Sequence, residues 1–559
     1  MEHLSIPISG WSRALLAVLL FASGSTLASA AVPELRPKGA TRQLFVDGKP
    51  FLARGGEVGN STGEPDYLRP YWPKFQALNL NTLVVPLYWD QIEPEEGRFD
   101  FSTLDGLLAD ARAHDMRLVL LWFGSWKNSM SCYAPAWVKS DLARFPRSVD
   151  ASGRTVEILS PFSDANRDAD ARAFAAVMRR LREVDTQHTV VMVQVENEIG
   201  MIPSARDHSD EANRLFAGPI PEELSRYLAE NADRLVPALR DRWRAAGAKT
   251  QGTWTEVFGR DDLAATEETF MAWHFARYTH AVAAAGKAEL PLPMFANAAL
   301  IRPAYRPGQY PSAGPLPHLL DLWRAGAPAI DFIAPDIYFP NFAEWADRYA
   351  KHGNPLFIPE ALRNTDAAAN ALYAYGEHGA IGFSPFGIES IEAQPARMLT
   401  GANDLVRQLT PLIVQHTGER TMIGLLPPAA EQRKPHERAF GGVVLNVTYE
   451  RVAAPSLADG VINEAGDRPS DRTVLPAAAI AIQTGPDEFV FGGIGVTITF
   501  SSENAGEHIG LLSVEEGRYV DGKWQRTRWL NGDQTHQGRH VRLEPGRFVI
   551  QRVKLYRYR

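Results

Sequence analysis

Short apolar segments alternate with amphipathic segments along the chain from about residue 40 onward, and a polar or aromatic loop follows each apolar one. The apolar segments are β-branched runs such as 190–195, typical of parallel strands covered on both faces. In the segment before that run, Phe174, Val177 and Leu181 recur at the spacing of a core-facing helix stripe. This alternation predicts an α/β fold, with a parallel sheet and helices outside it.

Eight such strands are predicted, which makes the fold a (β/α)8 TIM barrel with its chemistry at the carboxyl ends of the strands. The first strand ends at residue 57, and the others cover residues 81–87, 117–123, 190–195, 294–297, 332–338, 356–360 and 380–386. A hairpin with an Asp47-Gly48 turn precedes the first strand. A mostly helical insertion over about 201–290 follows the fourth, where insertions usually build the rim of the site.

The alternation of strand and helix patterns ends near residue 420. Two prolines at 427–428 and the polar stretch 431–435 are typical of a connector. Runs of β type follow, and Asp521-Gly522 marks a hairpin turn between two of them. We therefore expect residues 31–420 to form the barrel with its N-terminal hairpin, and residues 421–559 to form a C-terminal antiparallel β-sandwich domain.

The N-terminal 30 residues have the pattern of a secretory signal peptide. Arg13 precedes the apolar run 14–21, and small residues at 28–30 provide a cleavage site. The apolar run is too short to anchor the chain in a bilayer, so we expect no membrane contact after cleavage. The sequence thus predicts an exported protein, with the periplasm favoured over the medium. Cys132 is the only cysteine of the chain, which excludes an intrachain disulfide.

Composition narrows the classes of function. The 559 residues carry a net charge of −8 and 22% charged residues, a balance that provides no basic surface for nucleic acid. The 13 Trp, 16 Tyr and 26 Phe suit a carbohydrate site, although protein cores use such rings more often. No cluster of His, Cys and Asp has the spacing of metal ligands, and no glycine-rich phosphate loop occurs, so we expect neither a metal nor a cofactor.

Two glutamates form the candidate catalytic pair. Glu198 follows the fourth strand and Glu360 ends the seventh, so in a barrel both side chains point into one cleft. Two carboxyl groups about 5–5.5 Å apart are what a retaining glycosidase requires, one as nucleophile and the other as acid and base. Asn197 is suited to a hydrogen bond with the sugar 2-hydroxyl. Glu196 lies on the same side as Glu198 if the pleat persists, and a structural role is favoured for it.

Further substrate contacts are predicted around this pair. Glu57 could hold sugar hydroxyls or an arginine of the barrel mouth, and Tyr338 is placed to hydrogen-bond the nucleophile or the substrate. Lys127 and Asn128, on the loop after the third strand, are subsite candidates.

Four tryptophans either pack in the wall or stack on sugar, and we expect about two of them to stack. They are Trp89, Trp122, Trp126 and Trp254, of which we retain the first, third and fourth as substrate candidates. His274 and His352 are expected to be structural.

Several motifs together resemble glycoside hydrolase family 35, the β-galactosidases, over roughly residues 40–420. The motifs are DGKPF at 47–51, Gly56-Glu57, Trp89 with Glu93-Pro94, GRFDF at 97–101 and QVENEIG at 194–200. The resemblance implies that Glu198 is the acid/base and Glu360 the nucleophile. It also implies a retaining exo-β-galactosidase.

Two departures from the family pattern narrow the resemblance. Ile199 stands where many members have an aromatic residue, and 122–128 replaces a Cys-Ala-Glu-Trp segment. Together with the 272–278 segment and the single sandwich, these features resemble a bacterial subgroup that includes galactosidases acting on xyloglucan side chains, which implies a plant-derived oligosaccharide substrate. Two alternatives remain open: another retaining β-glycosidase, such as a β-glucosidase or a galactan-directed enzyme, and a non-catalytic carbohydrate-binding protein. The sequence leaves the oligomeric state open.

Overall fold

The computed structural model describes residues 31–428, 436–452 and 474–559. The predicted signal peptide and the 431–435 connector lie outside these ranges. Within the described ranges, no helix is both long and apolar enough to cross a membrane.

A small antiparallel sheet precedes the barrel and contains the predicted hairpin. Its strands are β1 (Glu34–Lys38), β2 (Thr41–Val46) and β3 (Lys49–Pro50). Asp47 and Gly48 have φ angles of 51° and 74°, the left-handed conformation that a tight two-residue hairpin turn demands. This part of the prediction is confirmed.

The predicted TIM barrel is confirmed. The chain between residues 53 and 385 forms the strands β4 (Ala53–Glu57), β5 (Thr82–Tyr88), β6 (Arg117–Lys127), β7 (Arg147–Val149), β8 (Thr155–Leu159), β9 (Val190–Asn197), β10 (Met294–Ala299), β11 (Phe332–Asp336), β12 (Phe357–Ala361) and β13 (Gly382–Pro385). All but the β7–β8 hairpin pair in parallel, in the order β11-β10-β9-β6-β5-β4-β13-β12. The Ile337 N–H donates to the Glu360 carbonyl at 2.9 Å and joins β11 to β12, which closes the barrel.

The helices alternate with these strands and cover the outside of the barrel. They are α1 (Pro65–Leu68), α2 (Trp72–Ala77), α3 (Trp89–Ile92), α4 (Ser102–Ala113), α5 (Ala136–Ser140), α6 (Asp164–Val184), α7 (Asp210–Ala217), α8 (Glu222–Asn231), α9 (Pro237–Ala245), α10 (Trp254–Phe258), α11 (Leu263–Glu289), α12 (Leu320–Gly326), α13 (Phe342–Tyr349), α14 (Ala367–His378) and α15 (Ala393–His416). The insertion is shorter than predicted, because α11 packs along α6 as a barrel helix and only α7 to α10 are inserted.

The C-terminal part folds into two antiparallel sheets, as predicted. Its strands are β14 (Met422–Leu425), β15 (His436–Phe440), β16 (Val443–Tyr449), β17 (Ala478–Gly485), β18 (Glu488–Ile494), β19 (Val496–Ser502), β20 (His508–Val520), β21 (Lys523–Trp529), β22 (Val541–Leu543) and β23 (Val549–Tyr558). One sheet has the order β14-β17-β18-β23-β20-β21 and the other β15-β16-β19-β22. Asp521 and Gly522, with φ of 49° and 72°, form the predicted turn between β20 and β21.

The larger of these sheets packs directly on the barrel. Ile480, Val490 and Ile550 belong to the same buried cluster as Leu405 and Leu409 of α15. The sandwich and the barrel therefore share one apolar core, and a second cluster fills the space between the two sheets.

Candidate active site

The end of β9 departs from regular strand geometry. Glu196 and Glu198 have φ angles of 63° and 45°, which non-glycine residues adopt at a cost and mostly near functional sites. The pleat therefore does not persist, and the expectation that both side chains share one side is wrong. The Glu196 carboxylate accepts a hydrogen bond from the Trp126 N–H at 2.7 Å and lies beside Asp170 in the wall.

Glu198 and Glu360 converge at the mouth of the barrel. Oxygens of their carboxyl groups and of Asp336 all lie within 4.8 Å of one another. Only 7% of Glu198 and 5% of Glu360 is exposed. This close approach is compatible with the spacing of about 5–5.5 Å expected of a retaining pair, and it is shorter than the 6.5–9.5 Å or so between the carboxyl groups of inverting enzymes.

Glu360 accepts hydrogen bonds from three neighbouring strand ends. The Tyr338 hydroxyl donates to one oxygen at 2.7 Å. The Asn197 and Asn297 amides donate to the other at 3.3 and 3.5 Å. Such donors stabilise a carboxylate and fix its orientation, as a nucleophile requires. Tyr338 thus makes the predicted hydrogen bond to the candidate nucleophile. Asn197 lies beside the same carboxylate, and its predicted hydrogen bond with the sugar 2-hydroxyl stays a prediction.

Glu198 has the properties of a general acid. Its backbone N–H donates to Asn297 Oδ1 at 2.9 Å, and its carboxylate accepts from the Asn128 amide. Burial raises the pKa of Glu198 to about 7, and the nearby Glu360 charge adds to the rise. Lys127 opposes the shift. A carboxyl group with a pKa near 7 can deliver a proton and later recover one at neutral pH.

Asn297 and Asp336 are part of the site but were not assigned from the sequence. They lie in β10 and at the end of β11, and the Asn297 amide donates to Asp336 Oδ2 at 2.6 Å. Burial raises the pKa of Asp336 well above its usual range, and the charge of Glu360 raises it further. Their position in the sequence is the signal that could have identified them, since each is a polar residue at the carboxyl end of a predicted strand.

Glu57 and Lys127 complete the charged lining. Glu57 is 0% exposed, and neither of its carboxyl oxygens has a hydrogen-bond partner among the described residues. The predicted alternative in which an arginine holds Glu57 is therefore wrong. Burial raises its pKa well above the usual range, and Glu360 adds to the rise while Lys127 opposes it. The Lys127 ammonium lies 5.5 Å from the centre of the Phe123 ring and is buried.

The three tryptophans predicted to contact substrate pack in the wall instead. The indole of Trp89 donates to Glu93 at 3.0 Å, and that of Trp126 donates to the Leu159 carbonyl at 3.1 Å. Trp254 packs edge-on against Phe270. All three are at most 1% exposed, so their rings offer no face to a sugar, and the stacking prediction is wrong for each.

Trp122 and the two histidines singled out in the sequence do not contact the candidate site either. The Trp122 indole donates to Asp170 at 2.8 Å inside the wall. His274 is half-buried and packs against Phe162, Phe270 and Trp254, in the structural role predicted for it. His352 is exposed at a turn.

Glu198, Asp336 and Glu360 form a group of described acidic residues whose oxygens converge closely enough to hold a cation. We assign no metal to them, because one oxygen of each carboxyl group already accepts a hydrogen bond from an amide or a hydroxyl group. The arrangement fits nucleophilic attack at a carbon atom, with proton transfer to the oxygen bonded to it, better than metal ligation.

Sequence comparison relates the barrel to known enzymes. A family model described as beta-galactosidase, of glycoside hydrolase family 42, matches residues 73–286. A second model, described as a domain of unknown function (DUF5597), matches residues 399–542. A β-galactosidase from Xanthomonas manihotis is 28% identical over 295 residues, which are 45% of this chain and 46% of that protein.

The barrel sequence is related to β-galactosidases. The matching family is number 42, whereas the motifs resemble family 35, so the family number expected from the motifs is not the one that the match gives. The chain spans about half the length of the Xanthomonas relative, 46% of it.

Solved structures show the same fold. The β-galactosidase from Bacillus circulans sp. alkalophilus superposes with a TM-score of 0.50 at 11% identity, over 90% of this chain and 99% of that one. A catalytic mutant of a GH42 β-galactosidase from G. stearothermophilus gives a TM-score of 0.50 at 11% identity, over 90% and 98%.

Proposed function

We propose that this protein is a retaining exo-β-galactosidase that releases terminal galactose through a covalent galactosyl-enzyme. The observation that carries the proposal is the pair Glu198 and Glu360, buried and with carboxyl oxygens within 4.8 Å of each other. The sequence relationship to β-galactosidases selects galactose among the sugars that such a pair can process. A buried pair of this kind also argues against a non-catalytic binding protein.

We propose a separate role for each residue of the pair, and the geometry supports it. Glu198 transfers its proton to the glycosidic oxygen while a Glu360 oxygen attacks the anomeric carbon, and the bond to the leaving group breaks. Water then attacks the same carbon, gives its proton to the Glu198 carboxylate and releases Glu360. Tyr338 and Asn197 hold Glu360 in line for both steps.

In this proposal the sugar is held by buried polar atoms of the cleft that have no partner among the described residues. Both oxygens of Glu57 and Oδ1 of Asn197 are buried without partners among the described residues. Sugar hydroxyls would supply the missing hydrogen bonds, which makes discrimination by these groups strong. Lys127 and Asn128 border the same space from the end of β6.

The catalytic assignment is tested by the variants Glu360→Gln and Glu198→Gln. We expect the first to abolish hydrolysis of an aryl β-galactoside. The second should slow substrates with poor leaving groups far more than those with good ones, because only the former need the acid. Glu392→Gln, at an exposed glutamate, is the matched control. Normal turnover by the Glu360→Gln variant would refute the proposal.

The natural substrate is proposed to be the galactosylated side chain of xyloglucan oligosaccharides. The support is the family 35 resemblance and the variant loop at 122–128. We expect kcat/KM for such an oligosaccharide to exceed that for lactose and for β-galactan oligosaccharides. A preference for galactan, or for aryl β-glucosides over galactosides, would favour the alternative of another retaining β-glycosidase.

The site of action is proposed to be outside the cytoplasm, with the periplasm favoured over the medium. The support is the signal-peptide pattern of residues 1–30. Fractionation of cells that express the full chain should recover the mature protein, beginning after Ala30, in the periplasmic extract. Recovery of uncleaved protein in the cytoplasm would contradict this.

A further inference from the structure

Asp336 is a third carboxyl group at the site, and the two-carboxylate mechanism does not use it. It is 1% exposed, and its Oδ2 accepts from the Asn297 amide at 2.6 Å. Its Oδ1 is buried and has no donor among the described residues. One of its oxygens lies within 4.8 Å of an oxygen of Glu198 and of an oxygen of Glu360.

Asp336 and Glu198 are both buried, and their carboxyl groups approach within 4.8 Å. Two buried carboxylates side by side repel each other too strongly for both to be ionised. After Glu198 has given a proton to the leaving group, one proton remains for the two carboxyl groups, and the surrounding groups determine which of them holds it.

The surroundings of Glu198 favour its ionised form and so leave the proton to Asp336, because the Glu198 carboxylate accepts from the Asn128 amide and Lys127 lies close enough to lower its pKa. The Asn297 amide donates to Asp336 Oδ2, and Oδ1, which is buried with no donor among the described residues, is the atom left to carry a proton. The Asn297 Oδ1 accepts the backbone N–H of Glu198, so the same side chain fixes the spacing of the two residues. A neutral Asp336 is also the form that buried surroundings favour.

We propose that Asp336 is a protonated positioning residue, whose carboxylic acid donates a hydrogen bond to Glu198 in the ionised form that Glu198 takes between the two catalytic steps. The inference rests on the proposed function for the role of Glu198. Its proton remains on Asp336 throughout the cycle. Only Glu198 loses a proton to the leaving group and regains one from water.

The charges around the pair come from several strands and one helix. The titratable groups that face Asp336 or Glu198 are Glu57, Lys127, Tyr338, Tyr349 and Glu360. Glu360 carries the negative charge of the nucleophile, and Lys127 is the cation among them. A further carboxylate at Asp336 would have no cation of its own, whereas a neutral acid there keeps the site near charge balance.

The donor should lower the pKa of Glu198, since it stabilises the ionised form. Without the hydrogen bond from Asp336, Glu198 would hold its proton more tightly and would be a weaker acid in the first step. The direction in which Asp336 shifts the pKa of Glu198 distinguishes a protonated Asp336 from an ionised one. An ionised Asp336 would raise the pKa of Glu198 by repulsion, so that its removal would lower it.

The test is the alkaline limb of kcat/KM against pH, measured for the wild type, Asp336→Ala and Asp336→Asn. With Asp336→Ala the limb should move to higher pH by roughly one unit, the effect of losing one hydrogen bond to a charged group. With Asp336→Asn, a neutral donor of the same shape, it should stay in place. Asp331→Asn, before the start of β11, is the matched control and should not move it.

A shift of the limb to lower pH in either Asp336 variant would overturn the proposal, because it would show that Asp336 is ionised. An unmoved limb in Asp336→Ala would overturn it as well, since it would leave Asp336 a merely structural role. If Asp336→Ala does not fold, infrared difference spectroscopy of wild type against Asp336→Asn at pH 7 replaces it. The carbonyl stretch of a carboxylic acid should appear, and its absence would refute the proposal.

The spectrum does not depend on turnover. A wild type that fails to hydrolyse β-galactosides but shows the carboxylic acid band would refute the proposed function and leave the protonated Asp336 standing.

Discussion

At the scale of single residues, the site holds carboxyl groups that the folded protein keeps at a cost in stability. Glu57 is the clearest case, because both of its oxygens are buried without a partner among the described residues. Natural proteins tolerate such groups where function uses them, and the stability they cost is recovered when they are replaced.

We predict that Glu57→Gln stabilises the protein and impairs it as an enzyme. The kcat/KM for an aryl β-galactoside should fall at least about tenfold, the effect of losing about 1.4 kcal/mol of binding in the transition state. The melting temperature at neutral pH should rise. Glu93→Gln is the control, because the oxygens of Glu93 accept from Trp89 and from the Gly97 N–H, and it should destabilise the protein. A stabilised Glu93→Gln with a destabilised Glu57→Gln would contradict the account.

The pH dependence of that effect has a definite sign. Burial raises the pKa of Glu57 above its usual value of 4.5, so the folded protein holds the proton more tightly than the unfolded chain. Below pH 4.5 the group is neutral in both states and costs nothing by ionisation. Above it, only the unfolded chain ionises freely, and the wild type loses stability. The melting-temperature advantage of Glu57→Gln should therefore grow between pH 5 and pH 8, and a constant difference would refute this.

The wild-type activity profile follows from Glu198. Its pKa of about 7 places the loss of the acid form near neutrality, so kcat/KM should decline above about pH 7. A profile that stays flat to pH 9 would show that Glu198 is not the acid.

At the scale of elements, the carboxyl ends of β6 and β9 determine where the proposed catalytic groups point. β6 extends to Lys127, and its register with β9 shifts between Trp122 and Lys127. At this irregularity, Gly124 lies against the buried carboxyl groups of Asp170 and Glu196. An added Cβ would lie 2.7 Å from Asp170 Oδ1 and 2.8 Å from Glu196 Oε1, closer than real side chains approach.

We predict that Gly124→Ala displaces the end of β6 and with it Lys127 and Asn128. The melting temperature should fall, and kcat/KM should fall about a hundredfold or more, as a displacement of about 1 Å in a catalytic site produces. Gly218→Ala is the control, because the nearest atom to its Cβ would be 3.4 Å away, at ordinary contact distance. Unchanged activity in Gly124→Ala would show that this irregularity does not position the site.

The same elements show which predictions the sequence could support. Strands covered on both faces are uniformly apolar, and therefore their number and order are readable from hydrophobic periodicity alone. Glu198 and Glu360 were found for the same reason, since a charged residue at the end of such a strand is conspicuous. The sequence places helix α11 in the insertion because apolar residues lie on all sides of this helix and form no clear core-facing stripe.

The predictions that failed depended on side-chain direction. The 124–127 segment was interpreted as a loop, but it continues β6 and turns Trp126 into the wall. The left-handed φ of Glu196 is not encoded by its residue type, so the break in the pleat was not predictable. Asn297 and Asp336 were within predicted strands, and only the assembled barrel shows that they meet Glu198 and Glu360.

At the scale of the whole molecule, the sandwich is built onto the barrel. A Cβ on Gly492 of β18 would lie 2.7 Å from Leu409 Cδ1 of α15, and one on Gly401 of α15 would lie 2.4 Å from the Phe548 ring. Such close packing indicates that the sandwich braces the barrel.

We predict that the two parts unfold together. Leu409→Ala should lower the free energy of unfolding by about 2–5 kcal/mol, the usual cost of truncating a buried leucine, and should shift one calorimetric transition as a whole. Leu512→Ala, at a leucine that is 57% exposed, should change little. Two resolved transitions, of which Leu409→Ala shifts only one, would contradict a shared core.

The central claim for the molecule is that Glu360 attacks the anomeric carbon of a β-galactoside. A galactoside with fluorine at carbon 2 and a good leaving group forms the covalent intermediate faster than it is hydrolysed, so the labelled residue can be identified by peptide mass spectrometry. We predict one galactosyl label, on the peptide that contains Glu360, in the wild type and in Glu392→Gln but not in Glu360→Gln. A label on any other residue, or none on a protein that turns over β-galactosides, would contradict the account.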